Sequence, residues 1–243
     1  MTYCVALRLD QGLLFMSDTR TNAGVDNIST FKKMFNWSVE GDRVITIMTA
    51  GNLATTQAVI SLLDERSVVP ADRKQTLLAA PTMFQVARLV GDTLKEVIHS
   101  QAEGQQESES TFSATMIVGG QIRGMEPRLF LIYPEGNFIE ASEETPFFQI
   151  GETKYGRPII LRAFDPTMSF EEAIKLLYVS FDSTLKANLA VGMPLDMHAY
   201  KIDTFETGIL SRVPPEDPYF KVISSGWGEA LKEAFDKLPD FKF

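Results

Sequence analysis

Thr2-Tyr3-Cys4-Val5-Ala6-Leu7-Arg8-Leu9-Asp10-Gln11-Gly12-Leu13-Leu14-Phe15-Met16-Ser17-Asp18 opens the chain behind one residue, Met1. Val5, Leu7 and Leu9 alternate with Ala6, Arg8 and Asp10, the two-residue period of a strand. Asp10-Gln11-Gly12 is a turn, and Leu13 to Ser17 is a second apolar run, so the stretch predicts a β-hairpin. Thr2 is small enough for an initiator methionine before it to be trimmed. Trimming leaves an α-amine and a hydroxyl on one residue, and the amine can then act as base for its own nucleophile.

Outward from the hairpin, β patterning continues. Lys33 to Trp37 and Val44 to Met48 predict a second strand pair across Glu40-Gly41-Asp42. Asn52 is a fair N-cap for a helix over 53–65. Pro81 suits the first turn of a second helix, which carries Met83, Val86, Ala87, Val90, Leu94 and Val97 at helical spacing. The polar stretch from Gln101 to Ser110 reads as a solvated loop. Strands are predicted over 112–118, 128–133, 137–141 and 147–150, then helices over 154–164 and 169–185. Ser169 with Glu172 fits a capping box for the second of these. Late strands follow at 197–202 and 207–210, and a short helix at 229–238. Grouped helices between runs of strands argue for two packed antiparallel sheets, each covered by a helix pair, over a doubly wound parallel sheet. There is no linker and no internal repeat, so 1–243 reads as one domain with a C-terminal extension from about 214.

Composition excludes several functions. The net charge of −9 is a poor match to nucleic acid, which needs clustered Lys and Arg. No run approaches the ~20 apolar residues of a membrane span. Nothing at the N-terminus resembles a signal peptide, and the single cysteine cannot form an internal disulfide. A cytoplasmic chain is the expectation. Two histidines, His99 and His198, and one cysteine do not make a zinc site of ordinary spacing. Cys4 lies inside the first strand, where a small buried cysteine is the ordinary reading and a nucleophile the rival one.

Four features of the N-terminal block are candidates for the chemistry. Thr2 is the candidate nucleophile. Asp18 ends an apolar strand in Met16-Ser17-Asp18-Thr19-Arg20. Lys33, in Phe31-Lys32-Lys33-Met34-Phe35, enters the next strand and is preferred over Lys32 as the inward lysine, with Asp18 as its counter-charge. Gly51, in Met48-Thr49-Ala50-Gly51, is a strand-to-helix corner whose N–H could serve an oxyanion.

With these spacings the chain resembles a proteasome β-type subunit, and more closely the bacterial proteasome-related family called Anbu. The resemblance implies an α+β fold, a four-layer αββα sandwich of two antiparallel sheets of the N-terminal-nucleophile hydrolase type. It implies a threonine-type peptidase with catalytic Thr2, Asp18, Lys33 and Gly51, no cofactor and no metal. It implies a peptide or protein substrate and a large homo-oligomer, a ring or a helical stack. A catalytically silent ring or filament subunit and an amidase of the same fold are the alternatives. Two corners depart from the family pattern. A Gly-Ser-Gly corner is replaced by Ile150-Gly151-Glu152-Thr153, and an Asp-x-x-Ser-Gly corner by Asn188-Leu189-Ala190-Val191-Gly192. Glu152 and Asn188 are therefore the candidate supporting residues.

Overall fold

The computed structural model describes residues 1–22, 28–68, 76–103 and 109–243. The strands are β1 (Tyr3–Leu9), β2 (Gly12–Asp18), β3 (Arg20–Asn22), β4 (Ile28–Thr30), β5 (Met34–Val39) and β6 (Arg43–Gly51), then helices α1 (Leu53–Val68) and α2 (Met83–Ala102). β7 (Ala114–Ile122), β8 (Arg128–Ile132), β9 (Phe138–Glu140) and β10 (Phe147–Gly151) lead to α3 (Arg157–Ala163) and α4 (Phe170–Ala187). β11 (Leu195–Lys201), β12 (Ile209–Val213) and α5 (Pro218–Asp236) close the chain.

Two five-stranded antiparallel sheets result, ordered β10-β1-β2-β11-β12 and β5-β6-β7-β8-β9. The period of β1 explains how they stack. Tyr3, Val5, Leu7 and Leu9 face a core shared with Ile160 of α3 and Leu177 and Phe181 of α4. Cys4 and Ala6 face the other way, against Met34, Met48, Ala50 and Ile117 of the second sheet. That sheet sends Ile45, Ile47, Val118 and Phe130 outward onto Val59 of α1 and Val90 and Leu94 of α2. Both faces of the central strands, β1, β2 and β11 in one sheet and β6 and β7 in the other, are thus buried, in four αββα layers. Full burial of one Leu or Ile is worth about 1.5–3 kcal/mol. A one-residue slip would send every such side chain to the wrong layer, so the layers fix the register.

Several expectations shift by a turn or more. α2 starts after Pro81, because the Thr82 hydroxyl accepts the Gln85 N–H and takes the N-cap itself. Residues 101–110 are not all loop: α2 runs to Ala102, a 3₁₀ turn spans Glu109–Phe112, and 104–108 lie outside the described residues. β7 continues through Gly119-Gly120, which pair with Thr46 and Ile45 inside the ladder. α3 begins only at Arg157, with Pro158 in its first turn. The capping box at Ser169 and Glu172 is present as expected. α5 is much longer than the predicted 229–238. Asp217 caps it, and Phe220 packs on Tyr178 at 5.3 Å between centroids, which carries the helix through Gly226 and Gly228. The short β3–β4 pair was not foreseen.

Candidate active site

Antiparallel pairing brings the start of β1 and the end of β2 to one edge of the first sheet. The register Cys4↔Ser17 leaves Tyr3 across from Asp18, and the Tyr3 N–H donates to Asp18 Oδ1 at 2.9 Å. β10 ends at the same edge through the pair Tyr3↔Gly151. From the other sheet come Lys33, just before β5, and Gly51, the last residue of β6.

Lys33 is buried and its ammonium makes three contacts: Asp18 Oδ1 at 2.8 Å, Arg20 O at 2.6 Å and Met1 O at 3.2 Å. An ammonium has three N–H donors, so each is matched. Lys32 is exposed, with its amine over the Phe35 ring. Asp18 is fully buried, and its Oδ2 accepts the Gly192 N–H at 3.2 Å. Burial pushes its carboxyl above the ordinary carboxylate range, while Lys33 and the N–H groups of Tyr3 and Gly192 pull it back down. The Met1 amine is held below the ordinary α-amino value, first by burial and then by Lys33, with Asp18 opposing.

Glu152 follows β10 and is buried. Its N–H donates to Thr2 O at 2.6 Å, fastening Thr2 to the β10 corner. Its Oε2 accepts from Asn188 Nδ2 at 2.9 Å, and its Oε1 from the Lys154 N–H at 3.3 Å. Asn188 caps the end of α4 and lies 3.9 Å from Met1 Sδ. The two departing corners therefore touch each other beside residues 1 and 2.

Gly51 has φ +116, and a Cβ there would overlap Ser113 O and Ala114. Only glycine turns the corner this way. A cavity of about 400 Å³ opens between the two sheet ends, lined by Thr2, Thr21, Lys33, Thr49, Gly51 and Thr56 among others. All six sequence-derived residues thus lie around one end of the sandwich. Sequence reasoning missed the Arg20 carbonyl and the Gly192 N–H. Both are backbone groups, which leave no side-chain signature, and the β3–β4 corner that presents Arg20 O was not predicted.

Cys4 is fully buried and donates weakly to Thr49 O at 3.8 Å. Burial pushes its thiol far up, so no thiolate nucleophile forms there. His198 sits between the sheets. Its Nε2 donates to Thr207 O at 2.6 Å, and Nδ1 accepts from Thr46 Oγ1 at 2.7 Å and Asn36 Nδ2 at 3.0 Å. That pattern fixes a neutral ring, and burial lowers its pKa to about 4. Among the described residues, no group of His, Cys, Asp or Glu is placed to hold a metal, and no helix is long and apolar enough to cross a membrane.

This constellation on this sandwich defines a proteasome-type subunit, and the proteasome subunit family profile matches residues 2–197. The chain belongs to that family, within its bacterial Anbu group. Anbu (ancestral beta-subunit) from Yersinia bercovieri is 46% identical with a TM-score of 0.92, over 99% of this chain and 100% of that one. Anbu from Hyphomicrobium sp. strain MC1 is 50% identical with a TM-score of 0.91, over 99% and 100%. The Pseudomonas aeruginosa chain, solved as a helical assembly of the Anbu complex, is 42% identical with a TM-score of 0.92, over 99% and 98%. None of the curated proteins compared with the chain matches it.

Proposed function

We propose that the chain is a threonine-type peptidase that uses Thr2 after loss of Met1. The observation that carries the reading is the buried Asp18–Lys33 pair, held at the foot of the residue that carries the hydroxyl. A buried ion pair is weak as a source of stability, so its retention calls for another use.

In this mechanism the Thr2 Oγ–H attacks a peptide carbonyl carbon, and its proton passes to the Thr2 α-amine, directly or through a water. The Lys33 charge lowers the proton affinity of the hydroxyl, and Asp18 holds Lys33 in place. The Gly51 N–H donates to the oxyanion. The C–N bond then breaks, the departing amine takes the proton, and an ester on Thr2 remains. Water attacks that ester with the Thr2 α-amine as base, the acyl C–O bond breaks, the carboxylic acid product leaves, and the Thr2 hydroxyl is restored. Glu152, whose N–H holds the Thr2 carbonyl, and Asn188, its hydrogen-bond partner, act as the supporting residues.

Self-association completes the reading. The exposed apolar side chains of α5 and the tail beyond it suit a second copy, and the Pseudomonas aeruginosa relative is described as a helical assembly. A silent assembly subunit is the rival, and a chain that keeps Met1 favours it. Cleavage of short peptide amides, compared between the wild type and Thr2→Ala, tests the central step. The mutant should keep the fold, since removing a hydroxyl from the chain end leaves no large cavity, and should lose all turnover. Wild-type turnover in the mutant would contradict the assignment.

A further inference from the structure

The proposal concerns Tyr3 and rests on the reading of Thr2 as nucleophile. Once Met1 is gone, Thr2 is tethered by one peptide bond only. Chain ends fray unless tied down, yet a catalytic hydroxyl must be held within about 0.5 Å of its working position. Among the described residues, Thr2 is anchored through its carbonyl on the Glu152 N–H. The rest of its placement is inherited from residue 3.

Tyr3 is completely buried, with its ring 4.5 Å from Phe181 between centroids. Its hydroxyl lies 2.6 Å from both Gln149 Nε2 and Ser180 Oγ. Ser180 Oγ in turn lies 3.1 Å from Gly156 O. One order of donors satisfies the chain: Gln149 to Tyr3, Tyr3 to Ser180, Ser180 to the Gly156 carbonyl. It joins β10, the start of α3 and α4 through a single phenol. A Cβ at Gly156 would overlap both the Tyr3 and Ser180 hydroxyls. Gln149 Oε1 has no partner among the described residues. The Gln149 amide thus meets the phenol at the expense of its own carbonyl oxygen, a cost that native cores seldom carry. A phenylalanine would fill the same space without burying a hydroxyl. The hydroxyl therefore serves location rather than burial.

We infer that Tyr3 is a positioning residue. Its clamped phenol fixes the first peptide of β1, whose N–H meets the Asp18 oxygen that also receives Lys33. Loosening the phenol shifts the Thr2 hydroxyl and the Asp18 carboxylate relative to Lys33 together.

Tyr3→Phe is the test, with Leu7→Val as a control that trims the same face of the same strand away from the phenol. Covalent labelling by a peptide epoxyketone, which reacts with an N-terminal hydroxyl and amine together, is followed by intact mass well below the melting temperature of each variant. Its rate is split into reagent affinity and maximal rate. Tyr3→Phe should keep the affinity and lose about tenfold in maximal rate, Gly156→Ala should do the same, and Leu7→Val should match the wild type. In parallel, hydrogen exchange at the Tyr3 amide should accelerate in Tyr3→Phe and Gly156→Ala, and not in Leu7→Val. Wild-type labelling by Tyr3→Phe, or a loss shared by Leu7→Val, overturns the role. A wild-type chain that never labels counts against Thr2 as nucleophile. The exchange arm then decides for Tyr3, and equal protection in the wild type and Tyr3→Phe overturns it.

Discussion

Asn188 donates to the Glu152 carboxylate across 2.9 Å, beside Met1 and the Thr2 carbonyl. Each residue stands at a corner whose sequence departs from the pattern expected of a proteasome β subunit. Their contact makes the two departures one coupled change. The two residues form one carboxylate–amide pair, and losing Asn188 leaves the buried Glu152 carboxylate short of a hydrogen bond.

A double-mutant cycle should show that coupling. Glu152→Ala and Asn188→Ala are each expected to slow labelling of Thr2 by an epoxyketone, and the double variant to be little worse than the poorer single one. Fully additive losses would mean that the pair does not act as a unit.

Lys33→Ala should abolish activity and destabilise the fold by about 3 kcal/mol, because Asp18 is left charged and buried without its counter-ion. Lys32→Ala, at an exposed site, should change stability by less than about 0.5 kcal/mol. Urea melts and peptide turnover of the two variants check this, and equal effects would contradict the assignment of Lys33.

Acid should weaken the sandwich through His198. Its pKa is lowered in the fold from 6.5 to about 4, so between those values the unfolded chain binds a proton that the native one refuses. Stability from this group is intact above pH 6.5 and is lost as pH falls toward 4, by about 3 kcal/mol in all. His198→Gln should flatten the stability-versus-pH curve over that window. An unchanged slope would mean that the acid sensitivity lies elsewhere.

Most of the layer order was legible because alternation in β1 and β2 and the spacing in α2 and α4 follow from burial alone. That Thr2, Asp18, Lys33 and Gly51 lie at one end of the sandwich was legible from their spacing together with the proteasome resemblance. Asn188 and Glu152 were legible as departures, while their contact depends on how the β10 corner meets the end of α4. Arg20 O, Gly192 N and the Tyr3 clamp were not legible, since they arise from backbone groups and from packing across 177 residues between Tyr3 and Ser180. α5 was underestimated because Gly226 and Gly228 weaken local propensity and tertiary contact at Phe220 outweighs them.

The tail should drive assembly. Phe220 is packed, whereas Phe235 is 73% and Phe241 81% exposed. Removing residues 229–243 spares the packed half of α5, so the fold should survive and the large homo-oligomer should shrink. Light scattering at micromolar concentration measures this. A 27 kDa wild-type species, or a mass distribution unchanged by the truncation, would contradict the role of the tail.

Intact mass after treatment with a peptide epoxyketone tests the central claim most directly. The reagent closes a ring with the Thr2 hydroxyl and α-amine, so it reports loss of Met1 and nucleophilicity at once. One adduct is expected on a chain beginning at Thr2, and none on Thr2→Ala. A chain that retains Met1 and takes no adduct, or an adduct that persists in Thr2→Ala, would contradict the account.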